Sequence, residues 1–166
     1  MRARMLCTIF TLCSSAVFAQ APGAQTPPPA KLFAGAADVS AMIAKAKSER
    51  KPDQPNFAQP IVRLAPYTAN LEYRVGGVSA PASVHEREAE MFYVVDGAGT
   101  LVTGGTLREE KRTNAENLSG SAIDGGTPRR LVKGDWVMVP EKTPHWFTQI
   151  EGTLVLMSIH LPQGVK

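Results

Sequence analysis

From Ile61 onward the chain is written in short runs rich in Val, Ile, Leu, Thr and aromatic residues, each closed off by Gly, Pro, Asn or Asp. That punctuation leaves no room for long helices, so it constrains the fold more than any other feature. Candidate strands fall at 61–65, 70–75, 91–96, 99–103, 128–132, 135–139, 145–150 and 153–161. Asp96-Gly97 and Lys133-Gly134-Asp135 read as turns between them, because Gly beside Asp supplies the positive φ that tight hairpins need. Many short strands at this spacing predict an all-β sandwich or closed barrel. In either, every second side chain of a strand points inward, and residues distant in sequence meet there.

What precedes the strands reads differently. Residues 1–19 have the pattern of a secretory signal peptide: Arg2 and Arg4, an uncharged apolar stretch from Met5 to Val17, and small residues at Val17-Phe18-Ala19. That stretch is shorter than the roughly 20 residues a membrane span needs, so a secreted or periplasmic protein is expected, with no membrane attachment after cleavage. Both cysteines, Cys7 and Cys13, lie in the leader, so the mature chain would fold without a disulfide. The leader also carries two of the 18 Lys and Arg and none of the 15 acids, which brings the net charge from +3 to near +1. With no basic run, that balance argues against nucleic acid as a partner. Residues 20–33 form a Pro-rich, extended linker. Residues 34–166 are expected to make a single domain with its core in 60–161. Its one helical signal is Val39, Met42, Ile43 and Ala46 on one face, with Asp38 as N-cap and Lys51-Pro52 as the stop.

Two stretches carry the chemistry. The first is Gly77-Val-Ser-Ala-Pro-Ala-Ser83-Val-His85-Glu-Arg-Glu-Ala-Glu90-Met-Phe-Tyr-Val-Val-Asp-Gly97. The second is Gly134-Asp-Trp-Val-Met-Val-Pro140-Glu-Lys142-Thr-Pro-His145-Trp-Phe-Thr-Gln149. In order and spacing they resemble the two motifs of the cupin superfamily. Gly77, Ser83, His85, Glu90 and Gly97 stand at the places of the first, with Ser83 where the family has its first histidine. Gly134, Pro140, Lys142, His145 and Gln149 stand at the places of the second, with Lys142 and Gln149 replacing the family's later Gly and Asn. The resemblance implies a cupin jelly-roll β-barrel with one short N-terminal helix, a metal held by His85, Glu90 and His145, and a homodimer joined through edge strands.

The residue chemistry points the same way. Neutral imidazoles and one carboxylate are ordinary ligands of first-row metals and leave positions open for water, oxygen or substrate. A buried Glu also needs a cation to offset its desolvation. One divalent transition metal is therefore expected, with Fe, Mn, Ni and Zn all suited. Ser83 leaves three ligands instead of the usual four and keeps a metal-free barrel open as an alternative. Ser83 and Gln149 are candidates for contacts around the ligands. Tyr73 and His160 are candidate catalytic residues, with Glu88 a further proton-transfer candidate. One of Tyr73 and Arg74 should face inward, and an inward Arg would favour an anionic substrate. Phe92, Trp136, Trp146 and Phe147 are expected in the core. The segment 104–128 reads as a long hairpin or a flap, with its charged residues on a solvated face. Two functions follow: a metal-dependent oxygenase-like or lyase/isomerase-like enzyme acting on a small organic molecule, or a non-catalytic barrel that binds a small ligand.

Overall fold

The fold turns on one strand, β4 (Glu88–Thr103), which belongs to two sheets at once. The computed structural model describes residues 29–164, so the expected leader and the linker up to residue 28 lie outside the described residues. Asp96-Gly97 does not make the expected turn. The strand runs straight through it, and the ladder with β12 (Thr153–Pro162) slips there: Val155 pairs with Asp96 while Leu156 pairs with Val94. Gly97 takes φ +82°, a backbone state shared by hairpin turns and by glycine bulges. Long-range pairing on both sides of the dipeptide selects the bulge. Lys133-Gly134-Asp135 does turn the chain, joining β9 (Thr127–Val132) to β10 (Trp136–Val139).

The bulge hands the chain from one sheet to the next. Before it, β4 lies in a sheet ordered β1 (Asn56–Leu64), β2 (Tyr67–Val75), β12, β4, β10. Beyond it, β4 pairs with β9 on one side and with β11 (His145–Thr148) on the other. The second sheet then continues through β3 (Ala82–His85), β7 (Asn117–Gly120) and β6 (Lys111–Arg112). Phe92, Val94, Leu101, Leu131, Val139, Phe147, Leu154 and Leu156 fill the space between the sheets. These are alternate residues of five strands, as inward-facing positions must be.

Two further layers cover the outer faces. Helix α1 (Ala36–Glu49) lays Val39, Met42, Ile43 and Ala46 on Leu71, Tyr73 and Val155 of the first sheet. Gly35, not Asp38, is its N-cap. Asp38 sits one turn in, and its carboxylate reaches back to accept the Gly35 N–H at 2.8 Å. Before the helix, Lys31 exchanges two backbone hydrogen bonds with Arg63, so the expected linker joins the edge of β1 from that residue. The segment after β4 forms β5 (Thr106–Arg108) paired with β8 (Ala122–Asp124), and β6 paired with β7. Leu107, Leu118 and Ile123 of this segment pack on Ala82, Val84 and Trp146, the outward residues of β3 and β11. It therefore covers the back of the second sheet and is not a flap over the barrel mouth. Arg108 and Arg112 lie on its solvated side, paired with Asp124 and Glu86.

A Cβ at residue 97 would collide with the Thr153 carbonyl, whereas one at Gly77 (φ +77°) would meet nothing within 4 Å. Gly97→Ala is expected to cost about 3 kcal/mol, from strain and overlap together, and Gly77→Ala about 1 kcal/mol from strain alone. Urea unfolding midpoints of the two variants check the difference.

Candidate metal centre

Four side chains meet at one end of the barrel, each placed by strand register. His160, near the end of β12, lies directly opposite Glu90 on β4. His145 opens β11 opposite Ser83 and Thr103. His85 closes β3 two residues beyond Ser83, on the same face. Its carbonyl accepts the Lys142 N–H at 2.7 Å, which pins the loop before β11 to β3.

Glu90 is the centre of the group. Its Oε2 lies 3.3 Å from His85 Nε2 and 3.2 Å from His145 Nε2, and its Oε1 lies 3.3 Å from His160 Nε2. Every imidazole is fixed from behind through its other nitrogen. His85 Nδ1 is 2.7 Å from Asn117 Oδ1, His145 Nδ1 is 3.1 Å from the Thr143 carbonyl, and His160 Nδ1 is 2.7 Å from Glu88 Oε1. Each of those partners is an acceptor, so each ring places its N–H at Nδ1 and turns the Nε2 lone pair toward Glu90. Three lone pairs directed at a carboxylate repel one another unless a proton or a metal ion lies among them.

The electrostatics agree. Burial alone would push the Glu90 carboxyl up, since only 4 % of the residue is exposed, yet the hydrogen bonds of His145 and His85 and the charges of His145 and His160 hold it far below the carboxylate range. Burial likewise pulls His85 down, but the hydrogen bonds it gives to Glu90 and Asn117 and the charges of Glu90 and Glu88 raise it above the ordinary imidazole value. The group thus attracts positive charge. His85, Glu90 and His145 each offer a ligand atom, all within 4.8 Å of one another, a spacing that can hold a metal ion. Glu88, with His85 and His160, forms a second such group on the solvent side. Phe92 and Phe147 floor the site, packed edge to face at 5.0 Å, with Phe92 6.2 Å from the His145 ring.

Other sequence candidates lie elsewhere. Tyr73 points outward and is buried under α1 with Leu71 and Val75, so it cannot reach the histidines. Its neighbour Arg74 is the inward one, but it pairs with Glu72 at 2.5 Å and stacks on Phe147 at 4.4 Å. An anionic substrate would find that charge already taken. Gln149 is not beside the ligands. It lies past the far end of β11, exposed, and accepts the Thr100 hydroxyl at 2.9 Å. The backbone explains both replaced places of the second motif: Lys142 has φ +60° and Gln149 has φ +47°, the left-handed region that Gly and Asn occupy most readily. Those places specify chain direction, not a polar group at the site. Ser83 is half-buried on the His85 face, across from His145. Phe92 and Phe147 are core residues as expected, whereas Trp146 is half-buried on the back of the second sheet and Trp136 is exposed. Nothing in the sequence singles out Asn117, because only the pairing of His85 with Asn117 between β3 and β7 brings it to the ring.

The sequence matches no protein-family model and no curated protein. Solved structures similar to it share its architecture at low identity. DMSP lyase DddQ from Ruegeria pomeroyi DSS-3 is 16% identical, with a TM-score of 0.53 over 86% of this chain and 71% of its own. An uncharacterized conserved protein with a double-stranded beta-helix domain from Klebsiella pneumoniae is 12% identical, with a TM-score of 0.51 over 70% of this chain and 85% of its own. The iron(II) form of HppE is 16% identical, with a TM-score of 0.51 over 65% of this chain and 52% of its own. The barrel of two antiparallel sheets joined through a bulged strand is the jelly-roll fold of these double-stranded beta-helix structures.

Proposed function

We propose that this chain is an exported, metal-dependent enzyme acting on a small organic molecule, with His85, Glu90, His145 and His160 as the ligands of one divalent transition metal. The observation that carries this reading is the set of three imidazoles, each tied at Nδ1 and each presenting Nε2 to one buried carboxylate. Rings oriented in this way, by acceptors behind them, are the usual support of a metal site. His160 then supplies the ligand that Ser83 does not, and it acts as a ligand rather than a free proton donor. Export is supported by the sequence pattern of residues 1–19 alone.

When bound, iron would supply oxygen chemistry, and manganese, nickel or zinc would supply Lewis-acid polarisation of a substrate oxygen. The structural neighbours include an iron(II) protein, HppE, and a lyase, DddQ. The protein's own residues do the rest. Glu90 and His145 sit deepest, while His85, His160 and Glu88 are partly exposed, so a substrate enters from their side. Phe92 and Phe147 close the floor and keep water from approaching from below. Glu88, a carboxylate at the rim, accepts the His160 Nδ1–H and so holds that ring with its Nε2 toward the metal position. Tyr73 has no part in this chemistry.

Elemental analysis of the purified chain, reconstituted anaerobically with iron, manganese, nickel and zinc, should find close to one equivalent of one metal. Glu90→Gln and His145→Ala should lose it, and His160→Ala should bind at least tenfold more weakly. A folded wild-type chain that stays empty would overturn the reading in favour of a metal-free binding barrel. Asn117→Ala should weaken metal binding about 10- to 100-fold while leaving the thermal midpoint nearly unchanged. Calorimetric titration with the metal would show it. The metal must also displace the proton on His85, whose pKa is raised above 6.5. Affinity should therefore be greatest in alkaline solution and start to fall above pH 6.5 as the solution is acidified. Binding isotherms across pH test the sign, and an affinity that rises on acidification contradicts it.

A further inference from the structure

A bulge on β1 turns an arginine toward the metal-bearing face of the first sheet. Between Pro60 and Val62 the ladder with β2 slips, so that Ile61 and Val62 both join the cluster under α1. Strict alternation would leave Arg63 on that outer face with Ile61. The slip instead pairs Arg63 with Thr68 on the inner face, and bulges commonly re-aim a side chain in this way beside a functional site. The Arg63 backbone is fixed from both sides, by Thr68 of β2 and by the hydrogen bonds of 2.7 and 2.8 Å that it exchanges with Lys31.

From Arg63 the inner face leads straight to the metal ligands. Directly opposed residues read Arg63–Thr68–His160–Glu90 across β1, β2, β12 and β4. Two strand spacings, roughly 10 Å, separate the backbones at Arg63 and His160, and the arginine side chain reaches over part of that span. The next row toward the floor reads Pro60–Asn70–Ser158–Phe92, so the wall stays polar below Thr68. Ser158 is fully buried, and its Oγ has no hydrogen-bond partner among the described residues. Native interiors rarely leave a hydroxyl unpaired unless a ligand or water completes the site.

The charge of Arg63 is not taken by a neighbour. Arg74, also on the inner face of this sheet, is paired with Glu72, and Arg87 and Arg112 on the His85 side are paired with Glu116 and Glu86. Arg63 is half-buried and makes no ion pair among the described residues. A cation partly withdrawn from water attracts an anion more strongly than an exposed one. One such cation balances one negative charge, which fits a carboxylate better than a dianionic phosphate. The planar guanidinium also meets a carboxylate through two parallel hydrogen bonds.

We propose that the substrate is a small organic acid whose carboxylate is held by Arg63, with Thr68 and Asn70 lining the span between that carboxylate and the metal position. This specificity rests on the metal reading of the same site and adds charge and length to it. A carboxylate stands at one end of the molecule, and a few carbons away a hydroxyl or carbonyl oxygen faces His85, Glu90, His145 and His160. Arg63 binds and orients; it does not transfer a proton.

The probes are glycolate and the straight-chain acids of three to five carbons with a terminal hydroxyl, beside the primary amide of each, titrated calorimetrically into the metal-loaded chain. At least one acid should bind, and its amide should bind roughly 10- to 100-fold more weakly. Arg63→Met should bring acid and amide to the same affinity, and Arg63→Lys should restore part of the difference. Metal content and thermal midpoint of both variants should match the wild type, which separates loss of the carboxylate contact from damage to the site. An acid held only by its carboxylate on the metal would keep its affinity in Arg63→Met, and that result overturns the assignment. So does a wild-type chain that binds none of the acids, or binds acid and amide alike. The same titrations on the metal-free chain keep the two readings apart. A chain that takes up no metal yet prefers acids through Arg63 ends the metal reading and leaves the carboxylate contact standing. A loaded chain indifferent to Arg63 does the reverse.

Discussion

Glu90 is an ionised carboxylate inside a barrel lined by Phe92, Val94, Leu154 and Leu156, and the surrounding structure is arranged around that charge. Removing a carboxylate from water costs several kcal/mol even after relaxation. Three imidazoles around the carboxylate offset that cost here. Each ring is in turn held by an acceptor from a different part of the chain: Asn117 on β7, the Thr143 carbonyl before β11, and Glu88 at the start of β4. The site is therefore a property of the closed barrel, since no two adjacent segments could assemble it. Loss of any one support leaves an imidazole free to turn its lone pair away from Glu90.

Much of this was legible in the sequence, for physical reasons that can be named. Strand runs separated by Gly and Pro predict an all-β chain, and alternation places His85, Glu90 and His145 on inward faces once a barrel is assumed. What failed was local chemistry read without its partners. Asp96-Gly97 fits a turn and a bulge equally well, and the choice lies with β12, some sixty residues away. Gln149 carries an amide suited to a metal site, yet its place in the motif is set by a positive φ, and its side chain goes to Thr100. Tyr73 and Arg74 alternate as expected. Which of them faces the helix depends on register with β12, where Val155 pairs with Tyr73 and Leu154 with Arg74.

His160 shows how a substitution can be absorbed by topology. Ser83 stands where a histidine would be expected, and β3 offers no second imidazole there. The last strand runs beside β4 with His160 opposite Glu90, so an imidazole arrives from β12 instead. Its parity with Leu154 and Leu156 was visible in the sequence. Its register against Glu90 was not, because the slip between Asp96 and Val94 shifts every pair beyond it by one residue. Without that bulge Glu90 would face its neighbour one position out of step, and His160 would lie on the wrong face of the ladder.

The two faces of the first sheet are consequently under different demands along the same strands. On β4, Glu90, Phe92 and Val94 serve the interior, while Met91, Tyr93 and Val95 serve the exterior. On β12 the same split falls between Ser158 and His160 on one side and Met157 and Ile159 on the other. A sheet apolar on both faces must be covered twice, and one fourteen-residue helix cannot span five strands. Because His160 and Ile159 are adjacent on one stiff strand, whatever covers the outer face also limits how far the ligand-bearing face can move.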